Sequence, residues 1–336
     1  MTEHVLRALG ELQRKWVPDR RIGVFDVAVQ DGRIEGSTTS REAQAEVRRL
    51  GGVAGMVVSV DLLPNASVDN GDVAVVTAAL APLLERPAVR APRVNEAVQG
   101  EPLTLLERRE DWVHVRAGDG YVAWTHSGYV RVGLTDWFED WLGRATIRSV
   151  SCELEYQGER VRLPIGARLA PRRDGRGDGV ETADGRLARI VSGILRSEAE
   201  LHTAARLMAT PELALRWFGG APYLWGGRTE WGIDCSGLVQ AVYAARGIAL
   251  PRDSDQQSTA GAGVELSGSG AGYAVGDLLF FAERERISHV ALWAGAGRIV
   301  HSTLPRGGVV SEDLFADAAR LQRLREQLVV VRRVER

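Results

Sequence analysis

The spacing of hydrophobic and polar positions changes several times along this chain, and each change marks a candidate unit. A helical spacing runs from His4 to Trp16. Two alternating runs follow, VFDVAVQ and RIEGSTT, on either side of Asp31-Gly32, a dipeptide that favours a tight hairpin. Thr39 with Glu42 three places on reads as a capping box for a helix through EAQAEVRRL, which Gly51-Gly52 stops. Two more apolar runs, VAGMVVSVDLL and VAVVTAALAPLL, complete an N-terminal α/β unit over residues 1–80. It contains no catalytic cluster, and packing or positioning is the only role its sequence suggests.

From Leu83 to Arg131 the pattern shifts to short strands. Trp112, His114 and Arg116 alternate with Val113 and Val115, and Gly118-Asp119-Gly120 turns the chain into YVAWTH. These features predict a small β-barrel over residues 81–135. Residues 136–204, with ATIRSVSCELEYQGERVRLPIGARLAP, a loop at RRDGRGDG and RLARIVSGILRS, predict a second and more divergent barrel. The helical EAELHTAARLMATPELALRWFGG, broken by Pro211 and ended by Gly219-Gly220, leads into a last unit over residues 205–336.

That unit contains the stretch around which the chain is organised, APYLWGGRTEWGIDCSGLVQAVYAARGIAL. Leu238, Val239, Val242 and Tyr243 paint one face of a helix that Gly247 closes, so Cys235 stands at the helix start. The positive end of a helix dipole favours thiolate over thiol, and the thiolate is the nucleophile. Asp234, Ser236 and Gly237 around it are polar or small, unlike the setting of a core cysteine. Cys152, within SVSCELEY, reads as a strand residue with no chemistry.

Further on, VGDLLFFAERERISHVALWAGAGRIVHSTLP reads as three strands with a hairpin at Ala294–Gly297. A turn centred on Gly295 sets His289 directly opposite His301, about 5 Å apart on one sheet face. A cysteine, a base histidine and a group that fixes the base's tautomer make up a nucleophilic triad. In that reading Cys235 attacks, His289 moves the proton and His301 holds His289, with the thiolate–imidazolium pair keeping the sulfur ionised near neutral pH. Two plainer readings stay open: strand histidines with ordinary partners, or a zinc site, although no fourth ligand at a convincing spacing is present. His4, His114, His126 and His202 have no such partners.

Composition narrows the possibilities. With 336 residues, several domains are expected. The 42 basic against 44 acidic residues, net −2, supply no field for polyanions, so nucleic acid is not expected as a partner. No apolar run approaches the roughly 18 residues of a membrane span and the opening residues lack an export signal, so a cytoplasmic protein with no membrane partner is expected. Two cysteines far apart give no disulfide framework. No cofactor or metal is called for.

The segment DWVHVRAGDGYVAWTH resembles the bacterial SH3-like domains found beside cell-wall enzymes. The series PYLWGGRTEWGIDCSGLVQAVY, LPRDSDQQ, GDLLFF, SHVALW and IVHS, over residues 205–336, resembles the NlpC-type cysteine peptidases. The resemblance implies an α+β chain: a papain-like cysteine peptidase domain preceded by small SH3-like β-barrels and the N-terminal unit. It further implies hydrolysis of a γ-D-glutamyl bond to a diamino acid in peptidoglycan-derived peptides, through a thioester. The order of domains is similar to that of intracellular γ-D-glutamyl-L-diamino acid endopeptidases, which recycle wall peptides and prefer a free L-Ala amino terminus. By that resemblance Glu85 and Tyr121 close one end of the cleft, and Tyr223, Asp234, Ser236, Asp253 and Ser254 line it. Carboxylates at Glu85 and Asp253 suit an ammonium, and hydroxyls at Tyr223, Ser236 and Ser254 suit the D-Glu α-carboxylate. Trp225 and Trp231 are candidate walls, and the Cys235 N–H is the default oxyanion donor. Two alternatives remain: a papain-like amidase or acyltransferase on another substrate, or a non-catalytic wall-peptide binding protein.

Overall fold

A computed structural model describes residues 2–68, 73–133, 135–172 and 179–335. The loop at RRDGRGDG lies mostly outside the described residues. Among those residues the strands gather into sheets of three, seven, five, two and six members, and no helix is long and apolar enough to cross a membrane.

The N-terminal unit packs helices α1 (Thr2–Trp16) and α2 (Arg41–Ala54) on a three-stranded sheet. Strands Phe25–Gln30 and Arg33–Thr38 form the expected hairpin, and Val57–Leu62 joins parallel to the second. The cap of α2 differs from expectation. Ser40 is the N-cap, accepting from the Ala43 N–H, while the Thr39 hydroxyl accepts from the Val24 N–H. The helix runs through Gly51-Gly52 and ends at Gly55, which adopts the left-handed conformation with φ 65°. Gly51 is tolerated there because Val58 and Ile34 crowd the space a β-carbon would take.

The run VAVVTAALAPLL does not belong to this unit. It splits into strands Val73–Val76 and Leu80–Leu84, both members of the seven-stranded barrel sheet with Arg93–Val98, Pro102–Arg109, Trp112–Arg116, Val122–His126 and Val130–Gly133. An apolar run carries no label of the core it enters, so the sequence left these strands with the wrong partner. Their side chains Ala74, Val76, Ala81 and Leu83 share one core with Leu103, Leu105, Val113 and Val115.

Helix α3 (Thr135–Arg144) leads to the second barrel. Strands Ile147–Tyr156, Arg168–Pro171, Gly179–Glu181 and Leu187–Ser197 each pair with the next, and the last returns to the first, closing the ring. Glu159–Leu163 pairs antiparallel with Ile147–Tyr156 as its hairpin partner and contributes Leu163 to the barrel core. Cys152 is a buried strand residue here.

The last unit starts with α4 (Glu198–Arg206), capped by a Ser197–Glu200 box, and α5 (Thr210–Phe218). Helix α6 (Cys235–Ala245) follows, then the short α7 (Ser254–Gln257), a six-stranded sheet and α8 (Ala319–Glu326). Leu238, Val239, Val242 and Tyr243 are all buried, as the spacing predicts, against Leu278, Phe280, Val290, Leu292 and Val300 on one sheet face. The alternate positions Leu279, Phe281, Ala291, Trp293 and Ile299 fill a separate core on the other face.

A polar seam joins this unit to the first barrel. Arg252, its side chain 1% exposed, forms a two-pronged ion pair with Asp234 at 3.0 and 2.7 Å and donates through Nε to Asn95 Oδ1 at 3.0 Å. Asp119 of the barrel accepts from both Asn95 Nδ2 (2.9 Å) and Gln240 Nε2 (3.1 Å). Arg228 donates to Glu96 and Glu101. Removing one member of a buried pair strands its partner's charge. Arg252→Met is therefore expected to cost about 3–5 kcal/mol in chemical denaturation; a loss under 1 kcal/mol would show that the seam is not what holds the two units together.

Candidate active site

The cysteine is placed by its neighbours. Asp234 caps α6 through the Gly237 N–H (2.7 Å) and also accepts from the Gly226 N–H (2.8 Å). Gly237 is required at its position, because a β-carbon there would lie 2.2 Å from the Gly227 carbonyl oxygen. The start of α6 packs on strand Arg286–Gly295, whose Val290 N–H points at the Cys235 sulfur.

The two histidines meet. His289 Nε2 and His301 Nδ1 are 2.8 Å apart. Their register differs from the expected one: Leu292 lies opposite Val300 and Trp293 opposite Ile299, so His289 and His301 are diagonal neighbours two positions out of step rather than directly opposed. A two-residue slip preserves the face, which is why the contact survives the error.

Sequence reasoning missed the group behind them. Glu312 Oε2 lies 2.9 Å from His301 Nε2, and Arg320 and Arg306 flank its other oxygen. His301 faces Val310 across the next strand pair, which sets Glu312 diagonally on the same face. The alternation in VVSED was the available signal. The hydrogen bond from His301, and after it the one from Arg320, hold the Glu312 carboxyl down at about 2 against burial, so it is ionised and can only accept. A neutral His301 then donates from Nε2 and accepts at Nδ1, and His289 donates from Nε2. That leaves Nδ1 of His289 unprotonated, as a proton acceptor.

Charge on the pair itself is resisted. Burial lowers His289 to about 3, and a second positive charge beside it, on His301 or from Arg320, is resisted in the same direction. Burial and the Asp234 charge push the Cys235 thiol up to about 12, outweighing the Val290 and Ser236 N–H groups and Arg252. Cys235 is 7% exposed, and this desolvation opposes what the helix start favours, so the helix start does not by itself supply a thiolate.

Above the sulfur is a cleft of about 1500 Å³ lined by Cys235 and by Glu85, Tyr121, Tyr223, Asp234, Ser236, Asp253 and Ser254, so all seven residues named from the resemblance border one cavity. Trp225 lines it, two-thirds exposed, whereas Trp231 does not. Asp234 borders it with both oxygens already taken by Arg252, Gly226 and Gly237, which makes it a support for the loop rather than a group free for a ligand. Ser236 Oγ accepts from Arg252 at 2.9 Å. The Tyr121 hydroxyl meets the Asp253 carboxylate, and burial followed by that charge raises its pKa. Glu85 is exposed at the rim. Arg21, from the unit whose sequence suggested no site role, also reaches the cleft. Among the described residues no three His, Cys, Asp or Glu side chains are grouped to hold a metal ion.

A helix-start cysteine against a sheet that carries the histidine pair defines a papain-like α+β domain. Comparison with known proteins agrees: residues 220–328 match the NlpC/P60 family and residues 83–127 match the bacterial dipeptidyl-peptidase SH3 domain, so the chain carries an NlpC/P60 domain behind an SH3 domain. The chain is 47% identical over 88 residues to a γ-D-glutamyl-L-lysine dipeptidyl-peptidase of Bacillus subtilis, covering 25% of this chain and 28% of that protein. It is 44% identical over 89 residues to a bifunctional muramidase/DL-endopeptidase of the same species, covering 25% and 26%. These matches span little more than a quarter of either relative. A crystal structure of an NlpC/P60 family protein from Bacillus cereus shares the fold at TM-score 0.61 and 20% identity, over 78% of this chain and 99% of that one.

The proton chain makes a direct prediction. With His289 present, alkylation of Cys235 by iodoacetamide, followed by peptide mapping, should persist to pH values below the ordinary thiol range of about 8.5. In His289→Ala the same reaction should require strongly alkaline pH, because burial then acts unopposed. Identical profiles would mean that the imidazole does not take the proton. Glu312→Gln should shift the profile in the same direction, since an amide can donate to His301 and reverse both tautomers.

Proposed function

We propose that this chain is a cysteine endopeptidase that hydrolyses the γ-D-glutamyl-L-diamino acid bond of peptidoglycan-derived peptides with a free N-terminal L-Ala. The observation that carries the reading is the single cleft bordered by Cys235 together with Tyr121, Glu85 and Asp253; the hydrogen-bonded chain His289–His301–Glu312 supports it. The relatives named for γ-D-glutamyl and DL-peptide cleavage support it.

In this reading Cys235 Sγ attacks the γ-carbonyl carbon as its proton passes to His289 Nδ1. The C–N bond breaks, the diamino acid amine departs with that proton, and a thioester to the γ-D-glutamyl group remains. Water then attacks the thioester, giving its proton to His289, and Cys235 leaves and recovers the proton. His301 steadies the imidazolium through its Nδ1 lone pair, and Glu312 steadies His301. Carboxylates at Asp253 and Glu85 receive the L-Ala ammonium, while Tyr223 and Ser254 offer hydroxyls to the D-Glu α-carboxylate. A cleft blocked beyond the amine excludes intact wall strands, in which that nitrogen is acylated. This suits the recycling of released peptides in the cytoplasm.

Cys235→Ala is expected to abolish release of L-Ala-D-Glu from L-Ala-γ-D-Glu-diaminopimelate or its lysine analogue while leaving the melting curve unchanged; retained turnover would refute the assignment. Acetylating the substrate's amino terminus removes charge-assisted hydrogen bonds of about 1.5–3 kcal/mol each. kcat/KM should then fall by about 10- to 150-fold, and equal rates for the two substrates would rule out an amine-recognising end.

A further inference from the structure

Arg21 lies in the loop between α1 and strand Phe25–Gln30, in the N-terminal unit, yet its guanidinium is part of the cleft wall. All five of its N–H donors are used on carboxylates. Nε and one Nη2 hydrogen go to Asp19 (2.9 and 2.8 Å), the other Nη2 hydrogen and one Nη1 hydrogen go to the two oxygens of Asp255 (2.8 and 2.7 Å), and the last goes to Asp253 Oδ2 at 2.9 Å. The Arg21 carbonyl accepts from the Val122 N–H of the barrel at 2.6 Å, and Gln256 donates to Asp19 at 2.7 Å. Three structural units thus meet at this one residue.

We propose that Arg21 is a specificity-determining residue for the substrate's amino terminus, positioning the Asp253 carboxylate to receive the ammonium; this rests on the function proposed above. Two observations favour a fixed support over a competitor for the ammonium site. Asp19 and Asp255 each grip the guanidinium at two points, so it stays in place whether or not Asp253 is engaged. It touches only Oδ2 of Asp253, and the three carboxylates against one guanidinium leave two negative charges in excess, which an ammonium would partly neutralise. Burial raises the Asp253 pKa while Arg252 and Arg21 lower it, with Asp255 and the Tyr121 hydroxyl also facing the group. Without Arg21 the carboxylate would lose an orienting donor and part of the field that keeps it ionised. The N-terminal unit is then a working wall of the cleft, and an enzyme lacking this loop would select less strongly for a free amine.

The test uses the full chain with L-Ala-γ-D-Glu-L-Lys and its N-acetyl form. In Arg21→Gln, KM for the free-amine peptide should rise about tenfold or more, with the loss falling in KM rather than kcat, and turnover of the acetylated peptide should change little. The preference for a free amine therefore narrows. Arg21→Lys, which keeps the charge but not the five-donor fork, should fall between the two and keeps the test valid if the glutamine variant folds poorly. An unchanged KM, or equal losses for both peptides, would overturn the proposal. A wild-type chain that does not discriminate between the two peptides would instead refute the amine-end reading itself, and this proposal with it, before any variant is measured.

Discussion

The site depends on one buried cation. Arg252 has almost no contact with solvent, and a guanidinium taken out of water is tolerated only where its donors are met by well-placed acceptors. Asp234 supplies two, and Ser236, Gly227 and Asn95 supply the rest. Because Asp234 also caps α6, the pair that satisfies Arg252 is the pair that fixes where the cysteine sits. Asn95 and Asp119 carry the network into the first barrel, so the barrel is coupled to the thiol through hydrogen bonds rather than by a tether.

The second constraint is the direction of a proton chain. An ionised Glu312 admits one tautomer of a neutral His301, which admits one of His289, and that one leaves its Nδ1 lone pair free of this chain. Neither the helix dipole nor burial supplies this order. Burial opposes ionisation of the thiol and of the imidazole alike, so reactivity belongs to the assembled chain of groups and not to a single perturbed residue.

Much of this was legible in the residues. The period of Leu238, Val239, Val242 and Tyr243 marked α6 and put Cys235 at its start, and strand alternation brought the histidines to one face despite a register two residues off. The misses have physical causes. VAVVTAALAPLL reads as apolar in any sheet, so periodicity alone could not assign it to the barrel. The α2 cap fell to Ser40 because Thr39 is occupied by Val24. Glu312 and Arg21 act through partners 11 and more than 200 residues away in sequence, respectively. A charged residue in a loop has no local pattern that distinguishes a solvated side chain from one that meets three carboxylates.

The strand Leu328–Arg333 lies inside the six-stranded sheet, between Ala262–Val264 and Leu278–Glu283, and not at its edge. On the ribosome, Cys235 is therefore made long before the segment that completes the platform under His289. Until residues 328–333 emerge, Leu278–Glu283 has an unpaired flank, and the thiol's surroundings remain those of an open chain. Placing a late segment in the middle of the sheet makes the strand that carries His289 wait for residues 328–333 before its platform is complete.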